Sequence, residues 1–245
     1  MSTNNKLKHI SYYASQLPKK DVIETKLLPA ITEPQTLTVV VAGRKNGKTS
    51  LLTQIAVKVA RQNNTVAFFT TQETGQHFCQ RLRYYLSLDD MAKLPIFIGN
   101  DYAVTEQSQA LLITHSIRQQ CNDLMKQQGA IGMIIIDDLA LFDCPKNANA
   151  EPIAKALKQI AIDFNCAVVI SSNCKKPLRM GGGSKITDIT NNNSFIAEIA
   201  DNLLMLEVQN NIYSSHLSTS CKTPAKMSIR VATQLPLLSS FVLEV

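Results

Sequence analysis

The octapeptide Ala42-Gly43-Arg44-Lys45-Asn46-Gly47-Lys48-Thr49 is one residue away from the pattern G-x-x-x-x-G-K-[ST], with alanine at its first position. The chemistry of such a segment is anion binding. A tight turn from a strand into a helix aims backbone N–H groups and the helix N-terminus at a phosphate cluster, while a lysine neutralises the outer phosphates and a hydroxyl holds magnesium. Gly47, Lys48 and Thr49 suit those parts, and Ser50 continues the first turn. Such a loop also needs a second acidic group, at the end of a buried neighbouring strand, to hold the magnesium through water. Asp137 directly follows the apolar run Met133 to Ile136 and is that candidate. Strand alternation points Asp138 to the other side, as a cap or a surface residue. The plainer alternatives are a structural turn at the octapeptide and a carboxylate that merely ends a strand. The loop's place between a strand pattern and a helix pattern speaks against the first, and the loop itself speaks against the second.

Elements able to hold these residues are visible in the periodicity. Leu37 to Val41 is a short β-branched run, and Leu51, Leu52, Ile55, Ala56, Val59 and Ala60 then recur at helical spacing. Val66 to Phe69 reads as a second strand, followed by a helix carrying Phe78, Leu82 and Tyr85. Ile96 to Ile98 is a third, followed by a helix from about Thr105 to Gln128. After the acidic strand, Ile153 to Ile162 is helical, and Ala167 to Ile170 is another buried strand leading into polar residues. Short apolar strands alternating with helices predict an α/β fold with a parallel sheet covered on both faces. Beyond Asn202, the segments Leu203 to Val208, Asn211 to Ser215, Met227 to Val231 and Ser240 to Leu243 read as strands joined by polar turns, an antiparallel extension of one edge.

Composition bounds the rest. The 245 residues are 45% hydrophobic and 18% charged, enough apolar area for one sizeable core. Residues 1–30 are polar, carry Lys6, Lys8, Lys19 and Lys20, and contain Pro18 and Pro29; they suit an arm ahead of a single domain spanning 31–245. No apolar run approaches the roughly 20 residues of a membrane helix, and the polar start is unlike an export signal, so a cytoplasmic protein is expected. Six cysteines without a C-x-x-C pair and four dispersed histidines indicate neither a disulfide framework nor a zinc site. The net charge of +6 admits a polyanionic partner without demanding one. Met180 to Asn193, with three glycines and three asparagines in runs, reads as a loop.

The order of these motifs resembles the RecA-type motor domain of DnaB-like replicative helicases. Leu37 to Thr49, Val66 to Leu82 with Arg81, Ile134 to Phe142 and Val168 to Lys176 carry the resemblance, which runs from about residue 25 to 245. It implies a RecA-like P-loop NTPase core, with ATP and Mg2+ at the junction between neighbouring subunits of a ring, expected to be hexameric. Single-stranded DNA would pass through central loops, and a helicase or replication partner would be at hand. Carried over by residue, 42–50 surround the phosphates, Lys48 and Thr49 contact phosphate and metal, and Asp137 assists the metal. Asn173 stands where the family has a γ-phosphate-sensing glutamine. Lys175, Lys176, Arg179 and Lys185 lie on or beside the glycine-rich loop that the family places at the ring centre, and suit phosphate contact without sequence reading. Ordinary solvated surface charge is the alternative for these four.

Three departures bear on activity. The family's water-activating glutamate falls on Gln72 in register, with Glu73 one place later. An amide cannot accept the proton, and loss of a general base costs about a hundredfold to ten-thousandfold in rate. Glu73 serves if the turn shifts by one residue, and is the preferred base. The arginine-finger strand aligns with Val231, Ala232 and Thr233, so no finger falls in register, although Arg230 and Lys226 are near. The glycine-rich loop carries Thr190-Asn191-Asn192-Asn193 where the family has acidic and arginine residues. Two functions follow: an ATP-driven motor on single-stranded DNA, or a nucleotide-gated binding or regulatory module that hydrolyses weakly or not at all. A small-molecule kinase lacks its arginine-rich lid.

Overall fold

In a computed structural model of the chain, residues 31–42, 47–70, 74–83, 86–99, 110–137, 151–173, 199–208, 226–233 and 239–244 are described. Along them run β1 (Leu37–Ala42), α1 (Lys48–Ala60), β2 (Val66–Thr70), α2 (Gly75–Leu82), α3 (Leu88–Lys93), β3 (Ile96–Gly99), α4 (Ala110–Gln128), β4 (Met133–Asp137), α5 (Glu151–Asp163), β5 (Ala167–Asn173), β6 (Asn202–Val208), β7 (Lys226–Thr233) and β8 (Ser239–Glu244). The strands form one sheet in the order β3-β2-β4-β5-β1-β6-β7-β8. Neighbours from β3 through β6 are parallel, and β7 and β8 continue the β6 side antiparallel. The expected α/β architecture and its antiparallel extension are both present.

Strand alternation sorts the core into two layers. Val40 and Ala42, Val66 and Phe68, Met133 and Ile135, Ala167 and Val169, and Leu204 and Leu206 pack with Leu51, Leu52, Ile55, Ala56 and Val59 of α1 and with Phe78 and Leu82 of α2. The intervening residues, among them Val39, Val41, Phe69, Ile134, Ile136, Val168 and Ile170, pack on the other face with Ile117, Cys121 and Leu124 of α4 and Leu157, Ile160 and Ala161 of α5. A parallel strand is buried on both sides, which is why these segments read as continuous apolar runs rather than as alternation.

Two boundaries differ from the periodicity. β5 does not stop at Ile170 but runs through Ser171 and Ser172 to Asn173, because the end of this strand faces a polar site rather than the core. The six-residue α3 carries no pattern, since it buries no side chain fully. It is held by Ser87, whose Oγ accepts from Asp90 N at 3.1 Å and donates to Asp90 Oδ2 at 2.8 Å. The expected strand Asn211 to Ser215, the start of the helix at 105–109 and Tyr85 lie outside the described residues.

At the amino end of β1, opposite the octapeptide, a polar staple joins three segments. Asp201 Oδ2 accepts from Leu37 N at 2.7 Å and also from Lys158 Nζ, which donates to the Gln35 carbonyl at 2.9 Å as well. Gln35 and Asn165 both adopt positive φ, and Gln35 Nε2 donates to Asn165 Oδ1 at 2.9 Å.

Candidate functional site

The parallel strands deliver their carboxyl ends to one rim of the sheet, where open α/β folds bind ligands. β1 ends at Ala42, in register with Asn173 at the end of β5. α1 then starts from Gly47, which caps it with φ 79° and ψ 14°. That left-handed conformation costs an L-residue with a side chain roughly 1–2 kcal/mol, so glycine belongs here. Leu51 N donates to the Gly47 carbonyl at 2.9 Å, closing the first turn, and Thr53 Oγ1 donates to the Thr49 carbonyl at 2.7 Å. Lys48 and Thr49 therefore occupy the helix's N-terminal turn, where the macrodipole favours anions.

Lys48 is only 8% exposed. Its Nζ donates to Asn173 Oδ1 at 2.8 Å and to the Ala42 carbonyl at 3.2 Å, so it lies across the β1–β5 seam. One strand further along, Asp137 ends β4 at 1% exposure, paired in register with Thr70 of β2. Ser171 Oγ donates to its Oδ1 at 2.6 Å. The pairs Asp137–Ser171 and Asn173–Lys48 thus lie side by side at the ends of β4 and β5 and the start of α1. A cation, a carboxylate, a first-turn hydroxyl at Thr49 and a helix N-terminus form the donor set that a magnesium–phosphate group requires; these residues fit that group.

Arg81 on α2 approaches from the side. Its Nη1 lies 3.5 Å from Ser50 Oγ, placing a guanidinium beside the first turn of α1. Thr74 caps α2, its Oγ1 accepting from His77 N at 3.3 Å. A groove of about 250 Å³ lined by Phe69, Phe97, Gly99, Gln120 and Leu124 lies on the α4 side of β2 and β3, on the opposite face of the sheet from this constellation. Among the described residues no group of three or more His, Cys, Asp or Glu is placed to hold a metal, and no helix is long and apolar enough to cross a membrane.

No protein-family model matches the chain, and no curated protein matches it in sequence. Solved structures do match in shape. A DnaB-like replicative helicase, described with its interactions with primase, superposes with a TM-score of 0.67 at 14% identity, over 96% of this chain and 64% of that one. A second solved structure, an ATPase domain by itself, gives 0.64 at 15% identity, over 95% of this chain and 92% of that one. The chain has a DnaB-like, RecA-type fold. It spans 64% of the length of the replicative helicase chain and nearly all of the length of the separate ATPase domain.

Within this DnaB-like fold, Ala42, Gly47, Lys48, Thr49, Ser50, Asp137 and Asn173 come together at one rim. Gly43, Arg44, Lys45 and Asn46 of the octapeptide, the pair Gln72 and Glu73, the basic residues Lys175, Lys176, Arg179 and Lys185, and Asp138 lie outside the described residues. Ser171 lies within the segment Val168 to Lys176 but is singled out by no residue pattern. Its one signal is the change from apolar to polar residues at the end of an apolar strand, Val169-Ile170-Ser171-Ser172-Asn173.

Proposed function

We propose that the chain is a MgATP-binding, DnaB-like helicase-related ATPase that acts on single-stranded DNA, in replication or in plasmid or phage maintenance. The observation that carries this reading is the buried Lys48, held by Asn173 and the Ala42 carbonyl one strand away from the buried Asp137. A lysine is seldom this buried without a partner, and these partners lie where an outer phosphate would meet it. In this reading residues 42–50 surround the phosphates and Thr49 with Asp137 holds magnesium, which supplies charge neutralisation to the transferred phosphoryl group. Asn173 stands beside the outer phosphate. Glu73, or Gln72 if the turn keeps its register, faces the attacking water, and Lys175, Lys176, Arg179 and Lys185 meet the DNA backbone. Assembly into a ring, hexameric in the resemblance, would bring a neighbour's residues to the nucleotide.

A second reading, a nucleotide-gated regulatory module that docks on DNA or on a partner helicase, is favoured by a specific feature. Positions 231–233, where the family carries its finger, are Val, Ala and Thr, and they lie within β7; a missing finger is worth about a thousandfold or more in turnover. Steady-state ATP hydrolysis by the purified chain, with and without single-stranded DNA, separates the two. Turnover that rises strongly with DNA and vanishes in Lys48→Ala supports the motor. Tight ATP binding without turnover supports the module, and absence of ATP binding ends both.

A further inference from the structure

The end of β5 does more than support Asn173. Strand alternation puts residues 169, 171 and 173 on one face, and Val169 belongs to the core beneath α1. At the next two positions on that face the strand changes from apolar to Ser171 and Asn173. The change coincides with Ile135 giving way to Asp137 on β4, one strand away, and with β1 ending at Ala42 on the other side. Ser171 is fully buried, and its Oγ lies one step beyond the last registered β4–β5 pair, Ile136↔Ile170. An ionised carboxylate only accepts hydrogen bonds, so the 2.6 Å contact requires Ser171 to donate to Asp137 Oδ1. Short O–H···O⁻ bonds of this kind are strong and directional.

We propose that Ser171 is a positioning residue for the metal: by donating to Oδ1 it holds the Asp137 carboxylate in one rotation, ready for the hydrated magnesium that accompanies a nucleotide. The inference rests on the MgATP reading above and assigns within it a residue that neither the octapeptide nor the resemblance singled out. Partners that orient a metal-binding carboxylate are worth about 10–100-fold in metal affinity. A serine that merely satisfied a buried carboxylate would change stability and leave the metal requirement where it was.

The test is a magnesium titration of ADP binding by the full chain, read by fluorescence of a labelled ADP, with an EDTA arm for metal-free binding. Ser171→Ala raises the magnesium concentration at half-effect by about 10–100-fold and leaves metal-free ADP affinity within about twofold of wild type. Ser171→Thr, which keeps the hydroxyl, restores the wild-type midpoint. Ser171→Cys fills the site, slightly larger than serine, with only a weak donor, and gives a raised midpoint even where the alanine variant fails to fold. A midpoint close to that of wild type in the folded alanine or cysteine variant overturns the proposal. Failure of the underlying MgATP reading shows separately: wild type then binds no labelled ADP with or without magnesium, and Lys48→Ala changes nothing.

Discussion

Lys48 arrives at the site with its ammonium already engaged by Asn173 Oδ1 and the Ala42 carbonyl. A phosphate bound here, as proposed, would therefore share or replace these partners rather than meet a lysine free in water. A hydrogen bond to a charged group contributes about 1.5–3 kcal/mol, so Asn173→Ala, at a residue proposed to stand beside the outer phosphate, is expected to weaken ATP by roughly tenfold or more and ADP by less, measured by equilibrium binding. Equal loss for ADP and ATP would instead assign Asn173 to holding Lys48 alone. Gly47→Ala forces a side chain into the left-handed region at φ 79° and should cost about 1–2 kcal/mol of stability in denaturant unfolding, together with nucleotide affinity. At this scale much was legible. Gly47, Lys48 and Thr49 stand out through the spacing of the octapeptide, and Asp137 through its place directly after an apolar run. Ser171 does not, because its partner is 34 positions away in sequence and the pairing exists only once β4 and β5 lie side by side.

Among the elements, α2 is anchored by one aromatic pair. Phe68 of β2 and Phe78 of α2 are both fully buried, their ring centroids 4.6 Å apart. Phe78→Ala should cost about 3–5 kcal/mol in unfolding experiments and loosen Arg81 from Ser50. The two helices on the other face are tied at the surface, where Arg118 of α4 donates to Asp163 of α5 and Gln159 Nε2 donates to Asp163 Oδ1 at 2.7 Å. The Gln159 bond first, then Arg118, holds the Asp163 carboxyl below the usual carboxylate range. A lowered folded value stabilises above the unfolded value near 4 and is lost as pH falls through the folded one. Asp163→Asn should therefore cost less than about 1 kcal/mol at neutral pH, since the pair is solvent-screened, and the difference should close in unfolding curves as pH falls through the lowered folded-state value. The long helices and apolar strands were readable because burial imposes a period on them. The six-residue α3 buries no side chain fully, with Leu88 64% exposed and only Met91 touching the core, and so had too little buried face to leave one.

For the molecule as a whole, the core under α4 and α5 encloses two thiols. Burial pushes the thiols of Cys121 and Cys166 up from 9.0 to about 12, and each also belongs to that core. A thiol reagent at about pH 8 should modify the exposed Cys79 and spare Cys121 and Cys166 until the chain unfolds, as mapped by peptide mass spectrometry. Because their folded values are raised, the stability they contribute is whole below about pH 9 and is lost as pH rises towards 12. The opposite ends of β1 divide the labour: the staple around Asp201 closes the amino end, and the carboxyl end is left to the site. From the residues alone came the α/β class, the parallel runs, the antiparallel extension and the two anchors of the site, because apolar periodicity and a glycine–lysine–hydroxyl spacing are local properties. The tertiary structure alone decided the strand order, which sets β5 between β4 and β1. That order is a matter of packing between segments distant in the chain, and it is what turns a serine and an asparagine at the end of one strand into partners for a carboxylate and a lysine on either side.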